Sequence, residues 1–341
     1  MKPFRIVFLL FIAMITMACS KQITQLFEGF KKPSNFPDPV YKFENNQITQ
    51  AGFELGRSLF FDPILSADNS ISCGSCHIPT SAFTQHGHSV SHGINDLLGT
   101  RNSPPIMNLA WNNSFMWDGG IVDLDLQPIA PITSHIEMGE SMSNVLKKLN
   151  QNSKYKVAFK KAFGTEDVTN IKMLKALSQF MLMCVSAESK YDSVMRNQQI
   201  FTESENLGYQ IFKKNCNNCH REPLFTDNSF RNNGLPPSSL DDIGRALITL
   251  KEGDKYKFKV PSLRNLMYTA PYMHDGRFLN LDAVLDHYIN KIADLPNLDS
   301  NLKSIGKSGI ILSNDEKANL LAFLQTLNDK KFVSNTLIGE Q

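Results

Sequence analysis

The chain has no excess of either charge. Its 341 residues carry 35 Lys and Arg against 33 Asp and Glu, a formal net charge of +2. It therefore lacks the broad basic face that nucleic acid would need. The apolar run from Ile6 to Ala18 is too short to cross a bilayer, because a spanning helix takes roughly 20 residues. Low-complexity segments are absent, and β signals are weak apart from short pieces such as Ala246–Leu250. Cysteines number only six. What remains is a chain with 42% apolar residues, enough for a sizeable core, and a length that suggests about two domains.

Lys2 and Arg5 precede that apolar run, which ends at small residues and Cys19. A basic start, a short apolar stretch and a small-residue cleavage site make residues 1–19 a secretory signal. Thr16-Met17-Ala18-Cys19 resembles a lipobox, with Thr16 where Leu is usual. On that reading Cys19 is lipidated and anchors the mature chain to a membrane; plain secretion and an uncleaved anchor are the alternatives. All three export the folded part, to the periplasm. Residues 20–46, with Pro33, Pro37 and Pro39 among polar residues, read as a tether.

Six cysteines in an exported chain would ordinarily suggest disulfides. Their arrangement points elsewhere. Cys19 belongs to the signal, and Cys184 sits alone in an apolar helical stretch as a buried, inert thiol. The other four form Cys73-Gly74-Ser75-Cys76-His77 and Cys216-Asn217-Asn218-Cys219-His220. These are haem-attachment sequences. Two thiols add across the two porphyrin vinyl groups, two intervening residues let both sulfurs reach one edge, and the adjacent His turns its ring to the iron. A zinc site from the two pairs is disfavoured because each is followed directly by His and the chain is exported. A redox-active C-x-x-C pair would adjoin a βαβ pattern, which is missing.

Helical periodicity covers Thr49–Phe60, stopped by Asp62-Pro63, then Ser141–Asn150, Ser153–Phe163 and 167–191. The last carries Ile171, Leu174, Leu177, Met181 and Val185 at helical spacing. Capping boxes at Thr202-x-x-Glu205 and Ser313-x-x-Glu316 open later helices, and Leu281–Ile289 is another. Residues 66–131 and 221–276 are irregular and long, so something other than secondary structure must organise them. A covalently held macrocycle would do so. The order helix, C-x-x-C-H, irregular loop occurs twice. The fold class expected is mainly α: two tandem c-type cytochrome-like haem domains with long irregular loops, over 47–195 and 196–335.

Several further motifs carry a resemblance: Gly56-Arg57-Ser58-Leu59-Phe60-Phe61-Asp62-Pro63, Arg101-Asn102-Ser103-Pro104, Trp117-Asp118-Gly119, Glu137-Met138-Gly139, Pro261-Ser262-Leu263-Arg264-Asn265 and Ala270-Pro271-Tyr272-Met273-His274-Asp275-Gly276. In this order they resemble the bacterial di-haem cytochrome c peroxidase family, including its MauG-type branch. The resemblance implies that the N-terminal haem meets peroxide, with His77 its proximal ligand, and that His220 serves the C-terminal haem. Gln127 and Glu137 fall at distal-pocket positions, where a carboxylate can shuttle the proton that O–O cleavage requires. Pro131 shapes the same pocket, and Trp117 lies between the haems. Asn102, Thr269 and Pro271 match residues that bind a calcium ion through oxygen atoms. The second iron's other ligand falls at Tyr288, as in the MauG-type branch, where many members have Met; His287 is the neighbouring alternative, and Met273 and Met267 are weaker ones. His92-Gly93 resembles a loop whose His caps the first iron, but its spacing from Arg101 differs; with His86 and His88 it reads as a solvated loop His, leaving that iron open.

The implied function is reduction of hydrogen peroxide to water. Electrons come from a small c-type cytochrome or similar donor, enter at the C-terminal haem and cross by Trp117. One alternative is MauG-like, with two oxidising equivalents stored across the haems and spent on a partner protein. A non-catalytic electron carrier is the other, and Glu137 and Gln127 speak against it. A homodimer is compatible with the resemblance.

Overall fold

The computed structural model describes residues 27–85, 87–304 and 307–341. The signal sequence with Cys19, and His86, lie outside the described residues. The chain is mainly helical. Its first half contains α1 Gln50–Phe61, α2 Cys73–Cys76, α3 Ile129–Thr133, α4 Met142–Gln151, α5 Ser153–Phe163 and α6 Asn170–Leu182. α7 Lys190–Met195 leads to α8 Glu203–Asn215, α9 Ala246–Thr249, α10 Leu281–Asp286, α11 Asn314–Gln325 and α12 Lys330–Val333. Strands are minimal: β1 Phe230–Arg231 pairs antiparallel with β2 Phe258–Lys259, and β3 Lys303–Ser304 with β4 Lys307–Ser308. Among the described residues no helix is long and apolar enough to cross a membrane.

The helices begin where their side chains can hold the free backbone N–H groups of a first turn. Thr49 accepts from Gly52 at α1, and reciprocal capping boxes open α8 at Thr202 and Glu205 and α11 at Ser313 and Glu316. α1 packs against α6, and α8 against α11, through one device used twice. A Cβ on Gly56 would lie 1.9 Å from the Ala176 carbonyl oxygen, and one on Gly208 1.9 Å from that of Asn319. Only glycine allows either crossing. Phe180 and Phe323 lie beside these crossings, each in its own apolar core.

The duplication continues beyond the helices. Asn108 and Asn265 both adopt left-handed backbone, with φ of 56° and 63°. The Asn108 N–H donates to Cys184 O, and that of Asn265 to Leu327 O. Their amide oxygens accept from the N–H groups of Ser186 and Asp329. These two clasps touch, because the Ser186 hydroxyl donates to Asp329 and the Asn265 amide donates to Ser186. The two cores also interleave along the chain: Tyr191 lies in the second, whereas Phe332 and Ile338 return to the first. A fully buried Arg264–Asp192 pair, 2.8 Å through both guanidinium nitrogens, ties the halves.

Four elements differ from expectation. The helix expected over 167–191 ends at Leu182 and resumes at Lys190, because 184–186 leave the axis to meet Asn108. Ile171 on its expected apolar stripe is 68% exposed. The β piece Ala246–Leu250 is instead one helical turn, closed by Leu250 at φ 56°; it has no neighbouring strand to pair with and bonds to itself. The segment read as a tether is packed in its described part: Phe36 is buried, Trp111 donates to Pro37 O at 2.9 Å and Asn35 to Asp192 at 2.9 Å. The helix at 281–289 changes to a π-helical turn at His287–Lys291.

Gly56→Ala or Gly208→Ala gains up to about 1 kcal/mol of intrinsic helix propensity. Each should nevertheless lower stability by about 1–3 kcal/mol, because the added carbon forces the helix pair apart. Denaturant melts of the holoprotein check this, and an unchanged or raised midpoint would show that the crossings tolerate a methyl group.

Candidate functional site

Each C-x-x-C-H segment opens on its own cavity. At the first, Ser72 and Ser75 form a capping box that winds Cys73–Cys76 into one helical turn, bringing both sulfurs to one wall. His77 Nδ1 is 2.8 Å from Phe83 O. At the second, His220 Nδ1 lies 3.2 Å from Phe225 O and 3.1 Å from Pro261 O. A carbonyl at Nδ1 accepts a hydrogen bond from Nδ1–H, which fixes the proton there and leaves the Nε2 lone pair free for a metal. Phe83 and Phe225, which aim those carbonyls, both hold left-handed backbone, φ 59° and 56°. Such strain persists only where the surroundings enforce it, and both rings are fully buried.

Burial lowers the pKa of both His77 and His220, favouring neutral rings. It pushes the Cys73 and Cys216 thiols up to about 12 and Cys219 to about 11. These thiols are protonated, the form that adds across a vinyl group. Among the described residues no cluster of three or more His, Cys, Asp or Glu could hold a metal ion. Two cysteines and one free imidazole nitrogen beside an apolar cavity, twice over, fit covalent haem. The Cys184 thiol is buried and, among the described residues, bonds to Phe180 O alone.

The first cavity encloses about 740 Å³ and is lined by Gln127, Pro131, Glu137 and Trp117 as well as by Cys73, Cys76 and His77. The Glu137 carboxyl has no hydrogen-bond partner among the described residues, and burial raises its pKa above the ordinary carboxylate range. Its backbone is fixed: Ile94 N–H donates to Glu137 O, and Gly93 packs against 136–137 so closely that a Cβ would sit 2.1 Å from Ile136 O. Gln127 makes one weak contact, Nε2 to Met116 Sδ at 3.8 Å. His92 lines the cavity, but its Nδ1 is held by Asp96 and His88 packs on its ring; His88 does not reach the cavity wall.

The second cavity is smaller, about 210 Å³, and is lined by Cys216, Cys219, His220, Met273, Tyr288 and Trp117. Burial pushes the Tyr288 hydroxyl up to about 12, and Asn233 donates to it at 3.4 Å. His287, one residue earlier in the π-helical turn, points away and bonds to Asn233 O at 3.1 Å. Met267 is exposed and lines neither cavity.

Trp117 belongs to the walls of both cavities. Its Nε1 donates to Asn102 O at 2.8 Å, and its carbonyl accepts from Lys259 N–H at 2.8 Å. Arg101 clamps the next residue, Asp118, together with Asp242 from the other half. Asn102 also reaches across, its Nδ2 2.6 Å from Pro271 O, while its own Oδ1 is buried with no hydrogen-bond partner among the described residues. Thr269 and Pro271 line the second cavity. The orphaned amide oxygen is a donor of the kind a hard cation takes, although it is the amide nitrogen that faces the Pro271 carbonyl. Three features escaped the sequence reading: the carbonyls of Phe83 and Phe225, the carboxylate of Asp242, and Lys259. Only Lys259 left a trace, as the last of three alternating lysines, set between Phe258 and Val260.

Residues 50–200 match the family model described as di-haem cytochrome c peroxidase. Methylamine utilization protein MauG of Methylorubrum extorquens is 34% identical over 91% of this chain and 86% of its own length. Cytochrome c551 peroxidase of Nitrosomonas europaea is 32% identical over 80% of this chain and 79% of its own. The crystal structure of a MauG-like protein associated with microbial copper homeostasis superposes with a TM-score of 0.82 at 31% identity, covering 92% of this chain and 99% of that one.

With its side chain 37% exposed, His92 stands as a solvated loop residue, and His92→Ala is expected to leave the ferric absorption spectrum unchanged. A change of spin state in that variant would show that the loop reaches the iron.

Proposed function

The chain belongs to the di-haem cytochrome c peroxidase family, and on that footing we propose that it reduces hydrogen peroxide to water with electrons from a small c-type cytochrome. The observation that carries this reading is Glu137, a desolvated carboxyl without a partner among the described residues, on the wall of the cavity into which Cys73, Cys76 and His77 open. A plain electron carrier has no use for it. When bound, each haem supplies an iron centre able to exchange electrons singly. Two electrons and two protons turn one peroxide into two waters.

Glu137 takes a proton from the near oxygen of peroxide and returns it to the leaving oxygen. The Gln127 amide orients the substrate beside it. Trp117, common to both walls, carries electrons from the His220 side to the His77 side. Tyr288, with His220, would hold the second iron; the engagement of His287 with Asn233 supports that choice. Asn102, with the carbonyls of Thr269 and Pro271, binds a calcium ion across the halves, a reading supported by the orphaned Asn102 oxygen. Residues 47–195 and 196–335 act as peroxidatic and electron-accepting haem domains. Export by residues 1–19 and a lipid on Cys19 would hold the enzyme on the periplasmic face of a membrane.

Tyr288 also favours a second reading, oxidation of a residue on a partner protein, since a phenolate ligand stabilises the oxidised iron. Stopped-flow mixing with peroxide and reduced cytochrome c separates the two. Rapid cytochrome oxidation supports the first, and its absence with every donor counts against it. Glu137→Gln should slow peroxide turnover about 10²-fold or more with both haem spectra intact. As a base Glu137 must be ionised, and burial raises its pKa, so activity should fall with pH at an acid limb above the usual carboxylate value of about 4.3. That limb should vanish in the Gln variant; an unchanged rate and profile would remove Glu137 from the chemistry.

A further inference from the structure

The wall shared by the two cavities carries one cation without an anion. Arg101 lines the first cavity and is paired with Asp118 and Asp242. Arg231 lines the second and is paired with Asp227 and Asp299. Lys259 lines both, and its ammonium forms no hydrogen bond or ion pair among the described residues. Its backbone cannot carry it elsewhere: Lys259 pairs with Phe230 across the β1–β2 ladder and donates to Trp117 O. Burial alone pulls its pKa down to about 8, with no neighbouring charge opposing the shift.

An ammonium held partly out of water and left unpaired is costly, and a counter-charge reaching it relieves that cost. Among the described residues nothing supplies that charge, which leaves whatever fills the cavities to bring it. Each porphyrin brings two propionate carboxylates. We propose that Lys259 is the shared counter-ion of the two haems, its ammonium binding a propionate at the wall between them. This rests on the di-haem reading. A fixed positive charge close to both irons favours the state with the extra electron, so Lys259 would hold both haems easier to reduce, beside the indole that joins them.

Spectroelectrochemical titration of the holoprotein, with haem counted per chain, tests this in wild type, Lys259→Met and Lys259→Arg. With two haems retained, the Met variant should shift the oxidised-to-reduced ratio of at least one haem tenfold or more towards oxidised, 59 mV for one electron. The Arg variant should stay within about twofold of wild type. Two haems with ratios unmoved in the Met variant would overturn the assignment. If the Met variant fails to take up haem, resonance Raman spectra of wild type and Lys259→Arg decide: a displaced propionate bending band supports the pair, and superimposable bands overturn it. Fewer than two haems in the wild type would instead refute the di-haem reading itself.

Discussion

A backbone carbonyl aimed at an imidazole Nδ1 is the contact on which both centres depend. Phe83 O holds His77, and Phe225 O together with Pro261 O holds His220; Phe83 and Phe225 both aim their carbonyls from left-handed backbone. The strain costs on the order of 1 kcal/mol or more per site. It is held by burial, since Phe83 packs with Phe60 and Phe180, and Phe225 with Phe212 and Tyr191. Phe180 also flanks the Gly56 helix crossing, and Phe323, packed on Phe212, flanks that of Gly208. Core, crossing and histidine orientation are therefore one unit, made twice.

Function comes from where the two copies diverge. The turn Phe115–Ile121 is closed by a β-bridge, as is Tyr272–Phe278, and both place a methionine at positive φ, Met116 and Met273. The next residue is Trp117 in one and His274 in the other. Trp117 lines both cavities; His274 lines only the second and stacks on Phe258, ring centroids 3.7 Å apart. The first copy keeps a large cavity with a desolvated carboxyl, whereas the second narrows around Tyr288. The first cavity has room for a small molecule that the second lacks.

Much of this was legible because it is local. C-x-x-C-H is a five-residue geometry, and the capping boxes at Thr202 and Ser313 need only a helix's first turn. Readings failed where distant residues decide. The stop at Leu182 depends on Asn108, far back in the chain, and residues 27–46 look like a linker until Trp111, Asp192 and Arg264 are seen to receive them. Trp117 and Glu137 were reached through resemblance, since indole and carboxyl have many bland uses. Lys259 gave only the oddity of a charge between Phe258 and Val260, and its missing partner is a property of three dimensions.

The central claim is that one iron of the pair is accessible and the other is closed by protein. Titrating the oxidised protein with cyanide while following the Soret band tests it most directly. The account expects saturable binding at one haem per chain, with the second haem's spectrum unmoved. Binding at neither haem, or equally at both, would contradict it.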